Sequence, residues 1–177
     1  KKYMDDFFLF FLEEIKKTRE ILDELGLYVE NIYIGGGTPT TLSASQIKIL
    51  LETIDKYLIT KKLNEFTLEA GRPDTIDHEK LYNAYMGGIS RISINPQTFN
   101  DSVLRAIGRN HTSEETVEKY NLAREVGFDV INMDLIAGLP TDTVEGFKNS
   151  VEKALSLNPE NITVHTLSLK RSSTIVT

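Results

Sequence analysis

Five short apolar runs, each set beside an amphipathic stretch, leave this chain few folds to choose from. The runs lie at 31–34, 65–69, 91–95, 129–134 and 161–167. They are too short for buried helices and are bounded by glycine, proline and asparagine, so they read as strands. Between them the apolar period lengthens to that of a helix. Residues 3–25 carry Phe7, Phe8, Phe11, Leu12, Ile15, Leu22 and Leu25 on one stripe and stop at Gly26. A second helix begins at Ser43, where Gln46 forms a capping box, and presents Ile47, Leu50, Leu51, Ile54 and Leu58. Further helices are expected at 77–86, at 101–107, at 112–126 with a Thr112 and Glu115 box, and at 143–157 with Asp142 as N-cap and Glu145 completing its box. Linkers are short throughout. Alternation of this kind implies a parallel sheet covered by helices.

Two parallel architectures remain, and the strand ends separate them. An open doubly wound sheet binds its ligand at one switch point, so few strand ends need polar groups. A closed or partly closed barrel brings every strand to one mouth at its C-terminal end. Here the ends read Gly-Gly-Gly-Thr-Pro-Thr at 35–40, then Glu69, then Asn95 and Gln97, then Asp134, then His165 and Ser168. The recurrence favours a barrel. With five strands visible, that barrel is partial or is continued by strands outside the sequence.

Composition narrows the function. A chain of 177 residues suits one domain or a piece of a larger one. Twenty basic against twenty-six acidic residues give a net charge of −6, which disfavours a general nucleic-acid binder or a polybasic membrane anchor. The longest apolar run, Phe7 to Leu12, is far short of the roughly 20 residues of a membrane span, and the charged stretch after it does not suit a secretion signal. A cytoplasmic location is therefore expected. The absence of cysteine excludes a thiolate metal site and a cysteine nucleophile within these residues.

Each candidate group admits two roles. The glycine run after the first strand lets backbone amides approach a ligand, or forms a tight structural turn. It is neither a dinucleotide loop nor a Walker loop, because Pro39 intervenes, the helix waits until Ala44, and no Gly-Lys-Ser/Thr follows. Glu69 accepts from a ligand ammonium or hydroxyl, or pairs with Arg72. Gln97 reaches ligand hydroxyls or stabilises its turn. Asp134 suits a ribose diol or bonds loop amides. Arg109 clamps a carboxylate with its planar fork, or is solvated. His78, His111 and His165 lack metal-ligand spacing and read as structural or polar. Lys170 and Arg171 face an anionic substrate or simply solvent.

Taken in order, Tyr33-Ile34-Gly35-Gly36-Gly37-Thr38-Pro39-Thr40, Leu68-Glu69-Ala70, Gln97-Thr98-Phe99-Asn100, Gly108-Arg109-Asn110-His111 and Asp134-Leu135-Ile136-Ala137-Gly138-Leu139-Pro140 resemble the radical S-adenosylmethionine enzymes of the oxygen-independent coproporphyrinogen III oxidase family. The resemblance implies a partial (β/α)6 barrel of the TIM type. It assigns Gly36, Gly37 and Thr38 to the methionine part of S-adenosylmethionine, matches Glu69 to the family's binding glutamate, and assigns Gln97 and Asp134 to the ribose hydroxyls, Arg109 to the methionine carboxylate, and Ser168 to a backbone contact near the adenine. It implies a porphyrinogen substrate whose propionates are oxidatively decarboxylated to vinyls after hydrogen abstraction by a 5′-deoxyadenosyl radical. The electron donor is not implied.

The departures are equally specific. The family holds a [4Fe-4S] cluster through three cysteines placed after the first barrel strand, and none is present here. The expectation is that the first strand and cluster loop precede Lys1, and that a C-terminal domain follows. Asn95-Pro96 stands where relatives carry small residues, and Gly71-Arg72 where an asparagine is common. Three alternatives stand beside it: a haem chaperone with the same cosubstrate motifs, an unrelated barrel hydrolase or isomerase using Glu69, Asp134 and His165, and a noncatalytic domain that binds the cosubstrate without cleaving it.

Overall fold

The computed structural model describes residues 3–168. Its elements alternate as expected: α1 (Met4–Leu25), β1 (Asn31–Ile34), α2 (Ala44–Leu58), β2 (Glu65–Ala70), α3 (His78–Met86), β3 (Arg91–Gln97), α4 (Asp101–Ala106), α5 (Ser113–Val126), β4 (Val130–Ala137), α6 (Val144–Ser156) and β5 (Asn161–Thr166). Single 3-10 turns occur at Pro39–Thr41 and Pro73–Thr75. Lys170 and Arg171 lie outside the described residues. No described helix is long and apolar enough to cross a membrane.

The five strands form one parallel sheet in the order β1-β2-β3-β4-β5. A doubly wound sheet would reverse direction at a switch point. Monotonic order means that every crossover steps the same way, as in a TIM-type barrel.

Strand parity then divides the sheet. Ile32 and Ile34 of β1, Phe66 and Leu68 of β2, Ile92 and Ile94 of β3, Ile131, Met133 and Leu135 of β4 and Ile162 of β5 pack with the helices in a single core. That core takes in Ile47, Leu50, Leu51 and Ile54 from α2, Leu81 and Ala84 from α3, and Tyr120 and Ala123 from α5. Each fully buried aliphatic side chain contributes about 1.5–3 kcal/mol from area removed from water. The alternate residues of the same strands face the concave side.

Caps terminate the helices where the chain chemistry asks for it. Both bonds of the Ser43 and Gln46 box and both bonds of the Thr112 and Glu115 box are made. Gly26 turns left-handed at φ 64°, and Leu27 N donates to Leu22 O, closing α1. The cap of α6 differs from expectation. Thr143 is its N-cap, accepting from Gly146 N, while Asp142 stands one residue outside and accepts from Thr143 N. Moving the cap by one residue puts Gly146, not Glu145, three residues on, so no box forms.

Strand β3 also runs further than the apolar pattern indicated, through Pro96 to Gln97. Its register against β4 shifts between Ile94 and Gln97. A bulge there excuses Pro96 from donating to the ladder. At the opposite end of the sheet, Arg124 of α5 donates to Phe128 O and Asp129 O and meets Glu160 at 2.7 Å, tying α5 to the segments entering β4 and β5.

Candidate active site at the C-terminal strand ends

The glycine run leaves β1 at the sheet's C-terminal edge, and its three glycines stand in three different environments. A Cβ at Gly35 would fall 2.3 Å from the Tyr33 ring and 2.9 Å from Glu69 Oε2. Gly36 adopts φ 113°, which side chains rarely take. Gly37 has open space around it and no such φ, so nothing inside the fold demands glycine there.

The loop is fastened from the next strand connection. Lys80 of α3 donates from Nζ to Thr40 O and to Thr75 O, both at 2.9 Å. Thr40 Oγ1 and Thr75 Oγ1 lie 2.6 Å apart, and Thr75 Oγ1 donates to Arg72 O. The turns after β1 and β2 are therefore tied to each other.

Glu69 joins this loop directly. Gly36 N donates to Glu69 Oε2 at 3.3 Å, so the glycine run and the acid share one rim. Both Glu69 and Asn95 close over Gly71: a Cβ at Gly71 would come within 3.2 Å of Glu69 Oε1 and 3.3 Å of Asn95 Nδ2. Arg109, from the α4–α5 connection, donates to Gly71 O at 3.4 Å. Burial lowers the Arg109 pKa, and neighbouring Arg72 pushes the same way, with Asp74 and Glu69 opposing. A half-buried guanidinium pressed by a like charge gains from an incoming anion.

Gln97 is buried at the end of β3 with φ 66°, an unusual backbone for a side-chain-bearing residue. His111 Nε2 lies 3.4 Å from Pro96 O, on the peptide that enters Gln97, while His111 Nδ1 is buried without a partner. Burial lowers the His111 pKa, helped by Arg109 and opposed by the Pro96 carbonyl. The contact ties the α4–α5 connection to the end of β3.

Asp134 sits on the concave face of β4, with His165 Nε2 3.7 Å from its Oδ2. Burial raises the Tyr33 phenol pKa, and the carboxylates of Glu69 and Asp134 push it the same way. Ser168 is exposed two residues past β5, and no hydrogen bond among the described residues ties it to the other candidates. No group of three His, Asp or Glu side chains able to hold a metal ion occurs among the described residues.

Strand-end reading missed what lies beneath. A cavity of about 240 Å³ is lined by Tyr33, Glu65, Thr67, Arg91, Ser93, Asn132, Asp134, Thr163 and His165. Every one of these occupies the concave parity of its strand. TIM-barrel interiors are usually filled by branched apolar side chains; this one is polar. Its signal was present in the alternation of Ser93 and Asn95, Asn132 and Asp134, Asn161 and Thr163 within otherwise apolar runs.

A one-way parallel sheet with its core on one face and a polar concavity opening onto a glycine loop, an acid and a guanidinium defines a TIM-barrel-like α/β protein. The fold matches the solved coproporphyrinogen III oxidase HemN of Escherichia coli, described as a radical SAM enzyme, with a TM-score of 0.81 and 32% identity over 95% of this chain and 38% of that one. The chain belongs to the radical SAM superfamily, whose family model matches residues 5–154. It is 49% identical over 90% of its length to the oxygen-independent coproporphyrinogen-III oxidase-like protein HemZ of Bacillus subtilis, and 41% identical over 78% to the haem chaperone HemW of the same organism. It spans 32% and 37% of those two proteins.

Proposed function

We propose that the rim binds S-adenosylmethionine and that the protein carries out oxygen-independent oxidative decarboxylation of porphyrinogen propionates. One observation carries the cosubstrate half: Glu69 meets the Gly36 amide at 3.3 Å while Arg109 reaches the neighbouring Gly71 carbonyl, which puts an acceptor for an ammonium next to a donor for a carboxylate. That pairing is the complement of an amino-acid end. Gly37, free of any internal need for glycine, supports close approach of a ligand to the loop backbone. Gln97 and Asp134 then serve the ribose hydroxyls, with Gly36, Gly37 and Thr38 along the methionine. Ser168 contributes a backbone contact near the adenine.

The residues present suit S-adenosylmethionine but not an iron–sulfur cluster, since the chain has no cysteine. Bound here and given one electron by a reductant outside these residues, S-adenosylmethionine would supply hydrogen abstraction from an unactivated carbon. The chain's own residues bind and orient it and shield the reacting end from bulk water. Among the described residues β1 is an edge strand, which supports the reading that a further parallel strand completes the sheet on that side. An apolar groove of about 470 Å³ beside it, lined by Phe8, Phe11, Ile32, Ile34, Leu50 and Ile54, offers that strand a core to join.

The likeness to HemZ and HemN favours the oxidase reading; the likeness to HemW supports a second, haem binding and transfer. Anaerobic assay of the reconstituted full-length protein with S-adenosylmethionine, a reductant and coproporphyrinogen III separates them. Vinyl-bearing product is expected. Stoichiometric haem transfer to an acceptor without decarboxylation would assign the chaperone role instead.

A further inference from the structure

The concave cavity contains one side chain that touches four others. Asn132 is buried at 5% exposure on β4, two residues before Asp134 and on the same face. Its Nδ2 donates to Asp134 Oδ1 at 2.6 Å and to Ser93 Oγ at 2.8 Å. Its Oδ1 accepts from Thr163 Oγ1 at 3.0 Å and from Asn161 Nδ2. Ser93 Oγ in turn donates to Asn95 Oδ1 at 2.8 Å. Two donors on β5 and two acceptors on β3 and β4 leave the amide one sense, nitrogen toward the carboxylate.

We propose that Asn132 is the positioning residue for Asp134, holding Oδ1 so that Oδ2 is the oxygen presented to a ligand's vicinal hydroxyls. The inference rests on the reading of Asp134 as a ribose contact. An aspartate at 132 would place a second carboxylate against Asp134, and an apolar residue would remove the donor to Ser93 Oγ and the acceptor of the Thr163 hydroxyl. The amide gives to Asp134 and Ser93 and takes from Asn161 and Thr163 at the same time. The network spans β3, β4 and β5, so it also fixes the spacing of the strands that present Asn95 and Asp134. A carboxylate held this way meets a diol without first losing rotational freedom.

The test is equilibrium binding to the full-length protein of two probes, S-adenosylmethionine and its 2′,3′-dideoxy analogue, for wild type, Asn132→Ala, Asp134→Ala and the double variant. Asn132→Ala should weaken S-adenosylmethionine by about tenfold and leave the dideoxy analogue within about twofold. In the Asp134→Ala background it should cost nothing more, because the group it positions is gone. Equal weakening of both probes, or additive losses, would overturn the positioning role while leaving Asp134 as a contact. If Asp134→Ala itself leaves S-adenosylmethionine binding intact, the ribose reading fails first and the positioning role with it. Should Asn132→Ala not fold, Thr163→Val removes a single donor to the hub. A hydroxyl-selective loss of about threefold is then expected, and the absence of selectivity would refute the proposal.

Discussion

The two faces of this sheet are made by the same strands and obey opposite rules. On the helix side, Ile92, Ile94, Ile131, Met133 and Leu135 have no exposed surface and no polar duty. On the concave side, one residue away in each strand, Ser93, Asn95, Asn132 and Asp134 are joined by hydrogen bonds. The comparison teaches that stability and binding are separated here by parity rather than by distance. Neighbours in sequence fall under different constraints because a strand turns successive side chains to opposite faces.

The comparison is broken most severely by opening the apolar side. Ile92→Ala deletes a fully buried side chain and should destabilise the fold by about 3 kcal/mol, read as a lower denaturation midpoint. Its folded fraction should bind S-adenosylmethionine normally. Next in size, Arg109→Ala should weaken cosubstrate binding by roughly 10- to 100-fold, the worth of a lost charge-assisted bond, with the melting temperature nearly unchanged. Unchanged affinity would reject the carboxylate clamp. Lys80→Met tests the brace between the two turns. Loss of its bonds to Thr40 O and Thr75 O should cost about 1–2 kcal/mol and raise proteolytic nicking within the glycine loop.

Polarity at the barrel floor is the finest test. The Thr67 hydroxyl and then the Arg91 guanidinium hold Glu65 below its ordinary pKa, against the opposing effect of burial. A depressed acid adds stability that is complete above the unfolded value of about 4.5 and is lost as pH falls through the lower folded value. Because 45% of the Glu65 side chain is exposed, solvent screening holds the effect below about 1 kcal/mol. Glu65→Gln should flatten the acid limb of the stability curve by that amount. An unchanged limb would show that the floor pair contributes nothing.

Much of this was legible before any coordinates. The glycine stop at Gly26, the boxes at Ser43 and Thr112, and the strand starts at Asn31, Glu65, Arg91 and Asn161 follow from local chemistry that tertiary packing had no reason to override. Strand ends were less legible. Pro96 argues against a continuing strand unless a bulge absorbs it, and a bulge depends on the neighbouring strand. Thr143 and Asp142 are both good caps, and only the backbone decides between them. At the site, Gly36 and Glu69 meet as their strand-end positions implied, while Arg109 reaches the same rim from the α4–α5 connection and the hub role of Asn132 was not legible. Its four partners come from β3, β4 and β5, and only register brings them together.

The central claim is that groups carried by successive strands converge on one adenosyl ligand. A crystal structure of the full-length protein with S-adenosylmethionine tests it most directly. The account predicts the amino-acid end between Glu69 and Arg109 and the ribose between Gln97 and Asp134. A ligand seated elsewhere, or one reversed so that its adenine contacts Glu69, would contradict it.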